Sequence, residues 1–378
     1  MRISLHFLYI TNKGGEMMLT KNIAEDIVKE TSLRLQRNVN IMNTEGVIIA
    51  TQEKSRIGTI HEGAISVLQS GKSLIINTDK TKDWKGAQPG LNLPIVYEEE
   101  IVGVVGVTGD PAKIENVGEL VKMTAELMVK QASIFSKVEW RQRTKAIIME
   151  QLLQKDPPFS SIDRNLHLLG LNPSPPFMTI LVNIIEYNVT YQILNQQLES
   201  SIGKNHMLIT FMNTNHLVIV LYNLNEKDFP QAVTHIYQSL KELSIIFRMV
   251  NSLPFYDLGN FRQSYIDCEM TLEISDPNEE LVSFTKIEAR ALIYQLDNRI
   301  SKRFSQRVLN NLDDVKVRTL ENFFSNDLNI QKTAEAMFVH RNTLIYRLHK
   351  IVEECGYDPR NFQDALIIQI ALWIQQRK

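Results

Sequence analysis

Basic and amide side chains near the carboxyl end of the chain open the second of two predicted helices. The segment 328–351 contains two apolar stretches at helical spacing, joined by a short corner. In such a pair, the start of the second helix can enter the major groove of DNA, where arginine matches guanine and asparagine matches adenine. Threonine, tyrosine and lysine can bind phosphates. The predicted DNA-binding residues are His340, Arg341, Asn342, Thr343, Tyr346, Arg347 and Lys350.

The apolar spacing favours a DNA-binding pair of helices over an ordinary helical hairpin with a solvated basic face. Each predicted helix has one apolar face. Ala334 is small where the two helices must approach closely. Phe338 occupies the corner, where glycine is common, so we expect the corner to use an unstrained backbone geometry. The apolar faces consist of Ile330, Ala334 and Met337 in the first helix and Leu344, Leu348 and Ile351 in the second.

A second group of polar residues lies near the amino end of the chain, around a predicted helix start. Arg56 precedes this helix and His61 lies in its first turns, where exposed amides and the helix dipole favour an anion. Gln88 and Asn92 add two amide side chains, and Gly90 allows a ligand to approach the backbone. Because arginine can bind a carboxylate through two parallel hydrogen bonds, the set suits a small hydroxylated acid. Surface or helix-capping roles for Arg56 and His61 are the alternative.

The elements around this second group predict a sensor domain over residues 19–150. A helix, a hairpin with glycine at its turn, further helices, a strand and a second hairpin follow one another. This order predicts a small antiparallel sheet with helices on one face, as in PAS-like and Cache-like sensors, whose cupped sheet can hold a ligand. A long linking helix follows over 117–154. Its seven-residue spacing of Val121, Met128 and Phe135 permits packing against a second copy or against the protein's own domains.

Strand and helix patterns alternate through the middle of the chain and predict an α/β domain over residues 151–288. The order of elements matches a nucleotide cyclase, which predicts a GGDEF-like fold. The hairpin that would hold metal and phosphate reads Asn213-Thr214-Asn215-His216, without paired carboxylates for magnesium or glycines that admit phosphates. We therefore expect a degenerate, non-catalytic domain. Helices over residues 289–378 complete an α+β multidomain chain with an all-α helix-turn-helix domain.

Composition and charge limit the classes to which the chain can belong. A hydrophobic share of 44% over 378 residues predicts globular domains, and a net charge of -2 means that affinity for DNA must be local. Motifs for phosphate-loop, serine-hydrolase and zinc-protease chemistry are absent from the sequence, so neither enzyme activity nor a metal or cofactor is expected. Cys268 and Cys355 match no metal or redox spacing, which favours thiols in a reducing cytoplasm.

The first residues predict neither a secretion signal nor a membrane span. Leu5 to Ile10 form a short apolar patch without a cleavage-like site of small residues. The longest stretch without charged residues, 205–225, is interrupted by polar residues and is predicted to be a strand hairpin. Residues 13–18 resemble a translated ribosome-binding site, so we expect the natural protein to start at Met17 or Met18.

Three segments resemble the family of bacterial sugar-diacid-utilisation regulators, the carbohydrate diacid regulators. The first is Arg56-Ile-Gly-x-x-His-Glu-Gly-Ala64, and the second comprises Asn92-Leu-Pro94 and residues 101–109. The third, Thr333 to Leu348, is similar to the helix-turn-helix that this family shares with purine-catabolism regulators. The resemblance covers nearly all of residues 20–378. It implies a transcriptional activator that responds to glucarate, galactarate or glycerate, binds double-stranded promoter DNA and has an inactive cyclase-like middle.

Two alternatives stay open from the sequence. A purine-catabolism regulator would share the DNA-binding end but sense a ureide or nucleobase, and a cyclase-like enzyme would turn over a nucleotide. Because affinity for a single half-site is usually modest, a homodimer or higher homo-oligomer is expected. In the expected mechanism, a bound mono- or dicarboxylate alters the long helix and thereby repositions two DNA-binding units.

Overall fold

The structure, a computed structural model, describes residues 19–78, 84, 87–309 and 312–377. Contacts within the chain divide it into two units, with the boundary between Gln142 and Arg143. The expected start at Met17 or Met18 lies outside the described residues. Among the helices that are described, none combines the length and the apolar character that a membrane crossing requires.

A five-stranded antiparallel sheet forms the centre of the first unit. Its strands and helices are α1 (Lys21–Leu35), β1 (Val39–Met42), β2 (Ile48–Thr51), α2 (Glu62–Ser70), β3 (Leu74–Ile76), β4 (Gly90–Tyr97), β5 (Glu100–Thr108) and the long α3 (Pro111–Leu152). The strand order is β2-β1-β5-β4-β3. The predicted order of a helix, two hairpins and intervening elements is confirmed, including the long helix that follows them.

The helices of the first unit cover both faces of this sheet, not one face as expected. Helices α1 and α3 pack on the face that carries Val39, Ile41 and Val105. Helix α2 packs on the opposite face, against Met42 and Val104. The expectation was wrong because successive residues of a strand point to opposite faces, and both sets of alternate residues in β1 and β5 include apolar side chains.

Helix α3 carries two stripes of apolar side chains, one buried in the core of the first unit and one exposed. Val121 and Ala125 are buried in the core formed with the sheet. A second stripe, on the other side of the helix, comprises Leu120, Leu127 and Ile134, which are between 52% and 58% exposed. Of the predicted series, Val121 is buried, Met128 is half-buried and Phe135 is 58% exposed, so packing against a second copy stays a prediction.

The second unit begins with an α/β portion whose sheet has the order β10-β9-β6-β8-β7. Strands β9 and β10 are parallel, and the other neighbours are antiparallel. Separate apolar cores lie on the two faces of the sheet. The elements are α4 (Phe159–Leu169), β6 (Met178–Glu186), α5 (Tyr191–Ile202), β7 (Met207–Phe211), β8 (His216–Leu221), α6 (Phe229–Glu242), β9 (Ile246–Asn251), α7 (Phe261–Ile274), β10 (Leu281–Ser283) and α8 (Phe284–Tyr294).

Five helices complete the part of the second unit that the structure describes. They are α9 (Asn298–Leu309), α10 (Asp314–Ser325), α11 (Ile330–Ala336), α12 (Arg341–Cys355) and α13 (Phe362–Gln375). Their shared core includes the predicted apolar faces of α11 and α12, with Leu344, Leu348 and Ile351 fully buried. Helix α8 connects this helical portion to the preceding sheet, since Phe284 lies in the core beside the sheet. Arg290, further along α8, donates a hydrogen bond from Nη2 to Oε1 of Gln376 at 2.8 Å.

Candidate ligand site and nucleic-acid interface

Helix α12 exposes polar side chains at its start because its apolar face is turned inwards. His340 caps the helix, and its Nδ1 accepts a hydrogen bond from the backbone N–H of Asn342 at 3.2 Å. Arg341, Asn342 and Thr343 are exposed in the first turn, as Tyr346 is one turn later. The arrangement is that of a recognition helix with its amino end free to meet base edges. The contacts of these side chains with DNA stay a prediction.

Lys350 and Arg347 are more restricted than the residues of the first turn. Both are half-buried. Lys350 Nζ lies 2.6 Å from Glu353 Oε2 and 5.9 Å from the centre of the Tyr346 ring. The hydrogen bond with Glu353 raises the pKa of Lys350, so its charge is kept but partly balanced within the helix. A phosphate would have to compete with Glu353 for this ammonium group.

The corner between α11 and α12 corrects one expectation. Phe338 has a φ angle of +56°, in the left-handed region, and is 97% exposed. The N–H of Val339 donates to the carbonyl of Ala334 at 2.9 Å, and the N–H of Phe338 donates to Glu335 at 3.1 Å. This pair of bonds is the helix ending that requires a left-handed residue. The corner is therefore strained at Phe338, because the end of α11 needs the geometry whether or not the residue is glycine.

In the first unit, His61 caps α2 and determines where that helix begins. Its ring Nδ1 accepts a hydrogen bond from the backbone N–H of Ala64 at 3.2 Å. The backbone N–H of His61 donates to the carbonyl of Gly46 at 2.9 Å. The helix therefore starts at Glu62, so His61 precedes its first turn and does not lie within it as the sequence predicted. The capping role that was the alternative for His61 is present, but the side chain is only 3% exposed, so it is not a surface residue.

Burial and a neighbouring cation keep the imidazole of His61 neutral. Burial, followed by the positive charge of Arg56, lowers the pKa of His61 to about 4. With Nδ1 acting as acceptor, the single proton of the neutral ring lies on Nε2. His61 is therefore equipped to donate one hydrogen bond to an acceptor in this part of the sheet.

Arg56 brings a largely buried positive charge to the same region. It ends a short 3-10 turn over Lys54–Arg56, directly before the chain runs to α2. Its Nη1 lies 3.9 Å from Glu53 Oε2, a long separation, and its side chain is 15% exposed. A guanidinium group can bind a carboxylate through two parallel hydrogen bonds.

Asn92 of β4 meets His61 at the first turn of α2. A Cβ atom on Gly63 would lie 3.0 Å from Cε1 of His61 and 3.3 Å from Nδ2 of Asn92. Glycine therefore lets the helix start approach the sheet closely, between these two side chains. The N–H of Gly63 belongs to the first turn, whose amides have no acceptor within the helix. His61 and Asn92 therefore meet at Gly63, and the positive charge of Arg56 acts on His61.

Gln88 and Gly90, the other two predicted ligand residues, lie at the start of β4. Gln88 is partly buried and precedes β4 by two residues. A Cβ atom on Gly90 would lie 2.2 Å from the carbonyl oxygen of Val107, so the pairing of β4 with β5 itself requires glycine at this position. Packing therefore explains Gly90 without a ligand. A role for Gln88 in binding a ligand stays a prediction.

A row of polar side chains and glycine crosses the face of the sheet that α2 covers. Thr51 of β2, Asn40 of β1, Gly106 of β5 and Asn92 of β4 are successive cross-strand partners. Asn40 and Asn92 are each 3% exposed. The sequence-based prediction did not include Asn40. The available signal was its place two residues before Met42 in an otherwise apolar strand, because residues two apart share a face.

The hairpin 213–216 of the second unit would correspond to a cyclase centre. Its asparagine side chains form hydrogen bonds with backbone groups of the hairpin and of β6. Asn213 Oδ1 accepts hydrogen bonds from the N–H groups of Asn215 and His216 at 2.9 and 2.8 Å. Asn215 Nδ2 donates to the carbonyl of Ile184 at 3.0 Å. Within the described ranges, no group of three or more His, Cys, Asp or Glu side chains could hold a metal ion.

The low pKa of His61 predicts a specific loss of stability in acid. The unfolded chain takes up a proton near the ordinary histidine value of 6.5, whereas the folded chain does so only near 4. As pH falls through this window, protonation favours the unfolded state, so the stability present above pH 6.5 is progressively lost. Calorimetry of His61→Asn, which keeps a helix-capping acceptor, should show a smaller decrease in the melting temperature of the first unit over this range. Identical pH profiles of the two proteins would contradict the assignment.

Comparison with known proteins divides the chain into three matched families. Residues 19–152 match the family described as "Putative sugar diacid recognition". Residues 154–274 match the GGDEF-like domain. Residues 317–374 match the PucR C-terminal helix-turn-helix domain. The three families follow one another in the order of the sensor, middle and DNA-binding parts that the sequence predicted.

Relatives similar over almost their whole length occur in several bacteria. The carbohydrate diacid regulator of Escherichia coli (strain K12) is 27% identical over 95% of this chain and 99% of its own. YsfB of Bacillus subtilis (strain 168) is 26% identical over 94% of this chain and 98% of its own. A protein of Haemophilus influenzae is 28% identical over 95% of this chain and 100% of its own. The chain therefore carries the sugar-diacid-recognition and helix-turn-helix domains of a transcription regulator and is similar along nearly its whole length to the carbohydrate diacid regulator of Escherichia coli.

Proposed function

We propose that this regulator binds a small sugar acid at Arg56, His61 and Asn92 and binds promoter DNA through the first turn of α12. The observation that carries the proposal is the buried cation of Arg56 beside the neutral His61, at a helix start that approaches Asn92. Arg56 would bind the carboxylate, His61 Nε2 would donate to an acid or hydroxyl oxygen, and the amides at the start of α2 would favour the negative charge.

The proposed effectors are glucarate, galactarate and glycerate, and the proposed effect is activation of transcription. Support for this class of ligand comes from the family matched by residues 19–152 and from the name of the Escherichia coli relative, which refers to carbohydrate diacids. The cytoplasm is the proposed location, because DNA and the products of sugar-acid uptake meet there. Gln88 and Gly90, at the start of β4, are also proposed to contact the ligand.

The proposed division of labour has three parts. Residues 19–150 would sense the ligand, 151–288 would act as a non-catalytic spacer and 289–378 would bind DNA. The middle part is proposed not to be an enzyme, since the side chains of the hairpin 213–216 bond to the backbone instead of presenting carboxylates for magnesium. Helix α3 contributes Val121 to the core of the first unit and Ile148 to that of the second, so it is the proposed route of the signal.

A second copy of this chain is the proposed partner of the exposed stripe on α3. Leu120, Leu127 and Ile134 recur every seven residues, the repeat that allows two helices to pack along their length. They lie outside the helix face that carries Val121, Ala125 and Val129, which the core of the first unit already covers. A dimer would also place two copies of α12 on two half-sites of an operator.

Replacing Leu127 by glutamate should therefore shift the protein from dimer to monomer. The reason is that a carboxylate placed in an apolar helix interface loses water without gaining a partner. Sedimentation velocity at several protein concentrations measures the change. Leu33→Glu is the matched control, because Leu33 is an exposed leucine of α1 away from the stripe. An unchanged dimer in Leu127→Glu, or a monomeric wild-type protein, would rule out this interface.

A thermal-shift screen of the purified protein tests the ligand class. Glucarate, galactarate and glycerate should each be compared with allantoin, a purine base and GTP with magnesium. Stabilisation by sugar acids alone supports the proposal, because a ligand that binds only the folded state raises the melting temperature. Stabilisation by allantoin or the purine base would favour a purine-catabolism regulator. Turnover of GTP in a parallel assay would favour a cyclase-like enzyme.

A further inference from the structure

The polar row on the sheet face that α2 covers contains two buried asparagine side chains, which packing alone does not require. The face is apolar at one end, where Met42, Val104 and Val67 form a small core. At the other end, Asn40, Gly106 and Asn92 stand side by side on β1, β5 and β4. Buried amide groups are unfavourable unless they are hydrogen-bonded, so such a row is expected where polar ligand groups are bound.

Hydrogen bonds orient the amide of Asn40 towards the centre of the row. Thr51 Oγ1 donates to Oδ1 of Asn40 at 2.6 Å, and Asn38 Nδ2 donates to the same oxygen at 3.5 Å. With its oxygen bound from the side of β2, Asn40 directs its NH2 group towards Gly106. The Nδ2 atom lies 3.7 Å from the position that a Cβ atom of residue 106 would occupy.

Asn92 approaches the same position from the other side. Its Oδ1 lies 3.0 Å from the Cβ position of residue 106, while its Nδ2 is directed towards Gly63 and His61. An amide donor from Asn40 and an amide acceptor from Asn92 therefore flank the backbone of Gly106. A hydroxyl group, which both donates and accepts, complements this pair.

We infer that Asn40 is a specificity-determining residue of the ligand site and binds the end of a polyhydroxy acid that is distal to Arg56. This inference rests on the proposed function. The carboxylate at Arg56 and His61 would be followed by hydroxyl groups over Gly106 and then by a hydroxyl or second carboxylate at Asn40. Strands β1 and β4 are two strand spacings apart, about 10 Å. A six-carbon diacid held at Arg56 extends further across the sheet than a three-carbon acid does, so its binding is expected to depend more on Asn40.

Thr51 is a positioning residue in this arrangement. Its hydroxyl holds the oxygen of Asn40, so the NH2 group of that amide lies on the side of Gly106. Valine at this position would keep the branched shape of the side chain but would allow the Asn40 amide to rotate. Serine would keep the hydroxyl. A comparison of Thr51→Val with Thr51→Ser therefore separates the orientation of Asn40 from simple packing.

Titration calorimetry of the full chain with glucarate and with glycerate tests the inference. Asn40→Asp keeps the shape of the side chain but replaces the NH2 donors by a negative charge. We expect it to weaken glucarate binding at least tenfold while changing glycerate binding less than twofold. Thr51→Val should produce a smaller loss for glucarate, and Thr51→Ser should restore it. Circular dichroism and the melting temperature verify that each variant is folded.

A second variant, in β5, tests the same inference without adding a charge and without changing a residue of β1. Gly106→Ala would place a methyl group between Asn40 and Asn92 and should also reduce glucarate binding. Equal binding of glucarate by wild type, Asn40→Asp and Gly106→Ala would overturn the inference while leaving the proposed function intact. Equal losses for glucarate and glycerate in Asn40→Asp would overturn the distal assignment. If wild type and Arg56→Ala both bind neither acid, the proposed function fails and the inference fails with it.

Discussion

Replacing Arg56 by alanine is expected to abolish the response to sugar acids while DNA binding stays normal. The guanidinium is the positive charge that the structure places beside His61, and a carboxylate bound there would lose its charged partner in a largely buried place. Truncating one member of a buried charge pair costs about 2–5 kcal/mol, which corresponds to a loss of affinity of about 30-fold or more. Titration calorimetry with glucarate and glycerate measures this loss.

Lys54→Ala is the matched control for this experiment. Lys54 lies in the same 3-10 turn as Arg56, but its side chain is exposed. Both variants remove one positive charge, so a difference between them reports the position of the charge and not the net charge. Normal affinity for both acids in Arg56→Ala would contradict the ligand site. Loss of DNA binding in the same variant would indicate damage to the fold.

Replacing Arg341 by alanine should weaken binding to the operator by about 1–3 kcal/mol, or about 5- to 150-fold at fixed salt. Arg341 is exposed at the first position of α12, the place from which a recognition helix reads base edges. If it reads guanine, its loss should also relax the preference for one base pair. Fluorescence anisotropy with an operator selected from genomic fragments measures both effects.

Two further variants show whether the effect comes from base contacts or from charge alone. Lys350→Ala should weaken binding equally for all sequences and should reduce the dependence on salt, as expected of a phosphate contact. Arg360→Ala should have little effect, because Asp358 holds this guanidinium through two hydrogen bonds of 2.8 Å. Unchanged operator binding by folded Arg341→Ala would remove Arg341 from the set of DNA-binding residues.

Local patterns in the sequence predicted the elements of both functional regions. The faces of α11 and α12 follow from side chains three and four residues apart, and residues this close along a helix are neighbours in space whatever surrounds them. The capping ability of His61 is local as well, because a helix cap bonds to an amide three residues later. The backbone of Phe338 was predicted wrongly, since the residue type alone does not reveal the pair of hydrogen bonds that closes α11.

The pattern of α3 shows why spacing alone was insufficient elsewhere. Val121 and Leu120 belong to overlapping seven-residue series, and either series could have faced the sheet. Contact with β4 and β5 buries Val121 and leaves Leu120 exposed. A periodic sequence thus predicts that a helix has apolar faces, but the neighbouring elements determine which face is covered.

The amino-acid sequence by itself determined the helices, the hairpins, the order of the three parts and the chemistry available at Arg56, His61 and Asn92. Only the tertiary structure decided which side chains meet. Asn40 and Asn92 are 52 positions apart in the numbering, yet both pair with Gly106 because β5 lies between β1 and β4. Strand order and register arise from contacts between distant segments, and a change of register by one residue would turn every one of these side chains to the opposite face of the sheet.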